Sequence, residues 1–288
     1  MNNAYQCHTV KHLAVIRASG DDTVSFLQSQ ITCDLVALQN NDSSWGGHCD
    51  PKGKLLAAFR MIRQSSGVLL ILPKEIAQQD LAQIQKYAVF NKVAFEDITD
   101  TLFCYAITGD SNAFIEQHFS PFEGDSAEFN GTTLLRQPHG LLVFSATELA
   151  LETSKGFWVN EIQAGLPLFG EQHMGQYIPQ MFNLQALSGI SFEKGCYLGQ
   201  ETVARIHYRG GLKRRLFCLS GQAKADVAAG TGLTVDGRRS GEIIAAAQKG
   251  EQLDVLAIMS IDADENASYQ VADIDSDLKV QPLSYTLD

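Results

Sequence analysis

Polar and apolar residues alternate loosely along "HLAVIRASG", residues 12–20, which predicts a strand closed by Gly20. In the following "DDTVSFLQSQI", Phe26, Leu27 and the Gln30–Ile31 step share one face of a short helix that Asp21 or Asp22 can cap. The run "KLLAAFRMIRQSSGVLLILP" reads as two strands joined by a polar Ser-Ser-Gly turn. Pro73 then opens a helix over about residues 74–87, with Ile76, Ile84 and Ala88 as its apolar stripe, and "KVAFEDIT" returns as a strand. A second round runs from "LFCYAITGD" through the helical "SNAFIEQHF" to "TTLLRQ" and "GLLVFSA". Strands interleaved with helices in this way predict an α+β fold whose sheets are covered on one face. After Arg215 the rhythm changes to short strands ("RRLFCLSG", "GLTVDG", "GEIIAAAQ", "LDVLAIMSI", "YQVADI", "LKVQPLSYTL") separated by Gly, Asp and Ser turns. That half predicts a small all-β unit of barrel type, with the boundary at about residues 211–216.

Composition adds limits to this picture. The chain has 288 residues, enough for two or three domains, and its 45% apolar and 19% charged residues support real cores rather than disorder. Its longest aliphatic run, Val68 to Leu72, is far too short to cross a bilayer. The N-terminal "MNNAYQCHTVKHLAV" lacks a basic stretch followed by an apolar core, so no secretory signal is expected. Cys7, Cys33, Cys49, Cys104, Cys196 and Cys218 lie far apart with no C-x-x-C or Cys/His ligand spacing. Neither a structural zinc nor a disulfide framework is expected, and a reduced, cytoplasmic protein is. The net charge of −11 argues against nucleic-acid binding by the whole surface. Yet between residues 194 and 215 stand Lys194, Arg205, Arg209, Lys213, Arg214 and Arg215 against the single acid Glu201. This segment is a positive island on an acidic protein, where an anionic ligand would find only a few places to settle.

Within the island, "KGCYLGQET" sets Cys196 between two glycines. A thiolate is the reactive form of cysteine, and cations lower its pKa, so Lys194 and the downstream arginines can activate Cys196. Gly195 and Gly199 allow tight turns and close backbone approach, while Gln200 and Glu201 offer an amide and a carboxylate. The competing reading is a buried cysteine acting as a small hydrophobe.

The longer stretch "GISFEKGCYLGQETVARIHYRG" resembles the signature of the YgfZ family, K-G-C-[FY]-x-G-Q-E, and here Tyr197 fills the aromatic position. "SFLQSQITCDL", "CDPKGKLLAAFR", "KYAVFNKV" and "IPQMFNLQALSGISF" agree with the same family, so the likeness covers nearly the whole chain. That family is related to the folate-dependent aminomethyltransferase of the glycine cleavage system. The resemblance implies a three-domain cloverleaf around a central folate channel, ending in a β-barrel. Its expected division is residues 1–100 with part of 160–212, carrying the channel and the cysteine motif, then 101–160, then the barrel at 213–288. It also implies tetrahydrofolate or a folate derivative as cofactor, support of iron–sulfur enzymes or their assembly machinery, and through them modification of some tRNAs.

The transferase chemistry does not carry over intact. "EIQAGLPLFG" is similar to the transferase segment whose acid pairs with the pterin, but Gln163 occupies that position. Where the transferase has acids that handle the amino group, this chain has Ala57 and Ala58, which cannot take a proton. Three roles stay open for Cys196: attack on a one-carbon adduct, passing contact with an iron–sulfur cluster, or reversible oxidation. By the resemblance, Phe157 or Trp158 stacks on the pterin, and the sequence does not choose between them. Arg205, Arg209 or the Lys213–Arg215 run can receive the anionic glutamate tail, the alternative for the last being a solvated hinge. His207 reads as a base or a surface histidine. His48 beside Cys49 lacks further metal ligands, and "CDPKGK" lacks the spacing of a phosphate-binding loop. The reading is thus a folate-binding accessory protein. A folate-dependent one-carbon transferase and a direct tRNA-binding protein are its rivals.

Overall fold

The computed structural model describes residues 4–287. The first three residues of the N-terminal stretch judged for a secretory signal therefore lie outside the described part. Two sheets interleave in the N-terminal half. β1 (Tyr5–Thr9) starts one and β2 (Leu13–Ser19) the other. β3 (Ser43–Cys49), β4 (Leu55–Gln64), β5 (Gly67–Pro73) and β6 (Ala94–Asp97) complete the β2 sheet in the antiparallel order β3-β4-β5-β2-β6. β7 (Phe103–Gly109), β8 (Ser126–Phe129), β9 (Thr132–Gln137), β10 (Gly140–Ser145) and β11 (Thr153–Ser154) complete the β1 sheet in the order β11-β1-β7-β10-β9-β8.

The loose alternation of β2 and β5 has a physical cause: both faces of their sheet are buried. Ala14, Ile16, Val68, Leu70 and Leu72 face a core shared with helices α1 (Thr23–Gln30) and α2 (Lys74–Ile84). Their neighbours Leu13, Val15, Leu69 and Ile71 face the second sheet through Ala106, Leu135, Leu142 and Phe144. The outer face of that second sheet packs against α3 (Ser111–His118) through Phe114 and Ile115. Arg60 ties the two sheets together. Its guanidinium, almost wholly buried, donates to Gln137 Oε1 (2.6 Å), Ser43 Oγ (3.1 Å) and the Arg136 carbonyl (3.1 Å).

Two expectations change. Asp22 does sit at the start of α1, but its carboxylate accepts the Lys92 backbone N–H at 2.7 Å instead of capping the helix. The helix after Pro73 stops at Ile84 and tightens into a 3-10 turn over Gln85–Tyr87. The chain then adds α4 (Phe157–Gln163) and an irregular run, followed by α5 (Gln200–Arg209).

The C-terminal strands are β12 (Arg214–Ala223), β13 (Gly232–Val235), β14 (Arg238–Lys249), β15 (Gln252–Ser260), β16 (Gln270–Val271) and β17 (Ser276–Gln281). They form one curled sheet in the order β16-β13-β14-β15-β12-β17. Its two edges meet where Tyr269 and Leu278 exchange both backbone bonds at 2.9 Å. Phe217, Leu219, Val255, Ala257 and Met259 fill its interior. Leu216, Cys218, Ile244, Leu256 and Ile258 point outward into the helix-side core of the first sheet. Alternation along these strands thus supplies two cores at once.

Candidate functional site

A cavity of about 510 Å³ opens where the start of β2, the start of α2, helix α4 and the barrel meet. Its wall is mostly apolar, from Leu168, Phe169, Ile244 and Ala245, with His12, Lys74, Glu75 and Gln172 as polar anchors. That composition is typical of small-molecule sites. Trp158 presents its ring to this space, and the ring is fixed by its Nε1–H donating to the Ala246 carbonyl at 3.3 Å. Adjacent helix residues point about 100° apart. Phe157 accordingly turns away: it is 2% exposed and packs against His8, His12 and His139 in the core between the sheets. Of the two aromatics, Trp158 is the one that lines the cavity.

Gln163 lies elsewhere. It is exposed, and its Nε2 donates to Asp254 Oδ2 at 3.2 Å beside a smaller cavity of about 250 Å³. The acid that shares the Trp158 face of α4 is Glu161, one turn after Trp158. It is buried and accepts from His12 Nε2 at 2.6 Å. His12 in turn meets the Trp158 ring edge-on, with centroids 4.7 Å apart. Sequence reading passed over this pair. The available signal was the three-residue step from Trp158 to Glu161, which puts both on one helix face. Ala57 and Ala58 are buried in the core at 0% and 1% exposure and offer no proton-handling group.

The cysteine motif forms a separate feature. Cys196 is exposed, while the other five cysteines are buried. Burial pushes the thiols of Cys33, Cys104 and Cys218 up, to about 12, 11 and 12, which keeps them protonated. Lys194 does not serve as the thiol's cation. Its Nζ donates to the carbonyls of Gln28 (2.6 Å), Ile31 (2.8 Å) and Cys33 (2.7 Å) and lies 5.0 Å from the Tyr197 ring. A cation on the carbonyls that end α1 is where the helix dipole favours one. Burial pulls the pKa of Lys194 down to about 8. Tyr197 is buried beside it.

Gly199 explains the second half of the motif. Its φ of +81° is in the left-handed region, and an added Cβ would sit 2.5 Å from the Asp50 carbonyl oxygen and 2.8 Å from Gly53 Cα. The "CDPKGK" turn between β3 and β4 is therefore the surface on which the cysteine loop docks. Gln200 opens α5 there, and Glu201 follows on its exposed side. Further along α5, Val203 faces the core, whereas Arg205, His207, Tyr208 and Arg209 face solvent. His207 stacks on Phe192 with centroids 3.6 Å apart. Cys196, Arg205 and Arg209 are not among the residues lining the Trp158 cavity. The expected folate set thus divides between an internal cavity and an external, basic surface.

Among the described residues no helix is long and apolar enough to cross a membrane, and no cluster of His, Cys, Asp or Glu has the arrangement of a metal site. No family model matches the chain. The fold is that of the aminomethyltransferase T of the glycine cleavage system from Bartonella henselae. The TM-score is 0.74 at 14% identity, covering 98% of this chain and 86% of that one. Curated relatives called tRNA-modifying protein YgfZ come from several bacteria. The Colwellia psychrerythraea protein is 36% identical over 96% of this chain and 92% of its own length. The Pectobacterium atrosepticum protein is 35% identical over 93% and 88%, and the Aliivibrio fischeri protein 36% over 90% and 86%. With such identity sustained from one end to the other, on an aminomethyltransferase-like fold and around the K-G-C-Y-L-G-Q-E loop, the chain belongs to the YgfZ family.

Proposed function

We propose that this protein binds tetrahydrofolate, or a folate derivative, in the Trp158 cavity and acts in the cytoplasm as an accessory to iron–sulfur enzymes that modify tRNA. The observation that carries the reading is the cavity itself: an immobilised indole on a largely apolar wall, within the size range of ligand sites, on an aminomethyltransferase-like fold. A pterin needs such a stacking face and a few polar anchors. With alanines in place of the transferase acids, the site keeps room for the cofactor without the group that would drive aminomethyl transfer. Cys196, displayed on a loop fixed by Lys194 and Gly199, is the group available to a client at the surface.

The test uses tryptophan fluorescence. The chain has two tryptophans, Trp45 and Trp158, so the titration is done in a Trp45→Phe background. Tetrahydrofolate should quench the remaining emission with saturation, and calorimetric titration of Trp158→Ala should show binding weakened by roughly tenfold or more, the scale of a lost aromatic contact. Absence of binding at millimolar ligand would end the folate reading. A second reading, direct contact with RNA, is favoured by one observation. Arg205, Tyr208, Arg209, Lys213 and Arg214 are all exposed, and no ion pair engages the four cations among the described residues.

A further inference from the structure

We infer that His12 is the residue that recognises the reduced state of the ligand, through its Nδ1, and that Glu161 positions it to do so. This rests on the folate reading above and adds a specificity to it.

Glu161 is a carboxylate with an 8% exposed side chain, and such a group is costly to bury unless paired. Its partner is His12 Nε2 at 2.6 Å. A carboxylate only accepts hydrogen bonds, so Nε2 carries a proton, and in the Nε2–H tautomer that this pairing selects the ring's lone pair is on Nδ1. Among the described residues the ring's hydrogen bond runs through Nε2, and Nδ1 makes none. The backbone at His12 is fixed by its carbonyl, which accepts the Lys74 N–H at 2.8 Å, and the ring is flanked by Phe157, stacked at 6.4 Å, and by Trp158, edge-on at 4.7 Å. The imidazole is 27% exposed and lies in the cavity wall. The result is a fixed hydrogen-bond acceptor next to the indole on which a flat ring would stack.

Of the other polar groups on the wall, Lys74 is a donor whose Nζ is engaged by Asp100 at 3.1 Å, while the Glu75 carboxylate and the Gln172 amide oxygen can also accept. The barrel's part of the wall, from Val227 to Ala229 and Ile244 to Ala246, brings no titratable side chain.

An acceptor here selects a ligand with an N–H at its edge. A tetrahydropterin carries N–H at both nitrogens of its reduced ring, whereas in fully oxidised folate those two nitrogens are acceptors. Two lone pairs facing each other leave both unpaired on burial, and a site built to pair with an N–H discriminates against the analogue lacking it. His12 would therefore make the cavity prefer the reduced cofactor by about tenfold, the scale of one hydrogen bond. No bond is made or broken in this step.

The experiment compares anaerobic calorimetric titrations of tetrahydrofolate and of folic acid into the full chain, the His12→Phe variant and the Glu75→Gln variant. The expected result is a preference for tetrahydrofolate in the wild type and in Glu75→Gln that His12→Phe abolishes while its thermal unfolding stays cooperative. Failure of the wild type to bind either compound sinks the folate reading and takes this inference with it. Binding of both without a preference, or a preference that survives His12→Phe or vanishes in Glu75→Gln, overturns the role of His12 alone. Nitrogen-15 spectra of the imidazole give an independent check on Glu161. The wild type should show the Nε2–H tautomer, and Glu161→Ala should show a mixture. A mixture already present in the wild type would refute the positioning role.

Discussion

At the scale of single residues, this chain separates groups that hold the fold from groups free to do chemistry. His173 belongs to the first kind. It is buried, its Nδ1 accepts the Gly170 N–H at 2.9 Å, and burial lowers its pKa to about 4. His139 is also lowered to about 4, by burial and then by the nearby Arg60. Unfolded, both titrate near the ordinary value of about 6.5. Between these limits the unfolded chain binds more protons, so stability is full above pH ~6.5 and is lost as the pH falls towards ~4. Chemical denaturation across that range should show a loss of roughly 3 kcal/mol per histidine. His173→Gln should flatten the curve, and an unchanged slope would refute the assignment. Cys196 is of the second kind. Because it is exposed, Cys196→Ala should leave the unfolding midpoint within ~0.5 kcal/mol of wild type while failing to complement cells that lack the protein. A large fall in stability would make it a structural cysteine instead.

At the scale of elements, the tightest joint is between the β3–β4 turn and the start of α5. Gly53 and Gly199 lie face to face there, both with positive φ. Gly199→Ala must strain the backbone and push the loop off the turn, at a cost of about 1–3 kcal/mol. Hydrogen exchange should show faster opening confined to the loop and the first turn of α5, and uniform behaviour would contradict the docking. The sequence made the periodic elements legible: β2, β4, β5, helices α1 to α3 and the barrel strands follow from alternation or from the 3.6-residue stripe. β1 did not, because "YQCHT" is short and mixes polar with apolar positions. The choice between Phe157 and Trp158 depends on helix phase, which a resemblance to a motif does not supply. The His12–Glu161 pair joins residues 149 positions apart, and only the folded chain brings them together. Lys194 was misread for a related reason. A cation two residues from a thiol need not face it, and here the loop turns it inward to the end of α1.

At the scale of the whole molecule, charge and shape act together. An acidic body of net charge −11 carries a run of exposed basic residues, Arg205, Arg209, Lys213 and Arg214, on α5 and at the start of the strand after it, and none of them lines the Trp158 cavity. If RNA is a direct partner, it binds here. Affinity for tRNA should then fall steeply with salt, and Arg209→Ala and Arg214→Ala should each reduce the log–log salt slope by about 0.7–0.9. Arg215 is a poor choice for that test, since it pairs with Glu265 and stacks on Phe217. No measurable tRNA affinity at low salt would confine the basic surface to protein partners. The Trp158 cavity, by contrast, draws walls from the first sheet, α4 and the barrel, so a bound ligand braces elements that share no strand.

The burial of five of the six cysteines has a practical corollary. An unmodified chain offers a single accessible point for thiol-directed reagents. A spin label or fluorophore attached there reports on the loop that clients would meet, without a cysteine-free background.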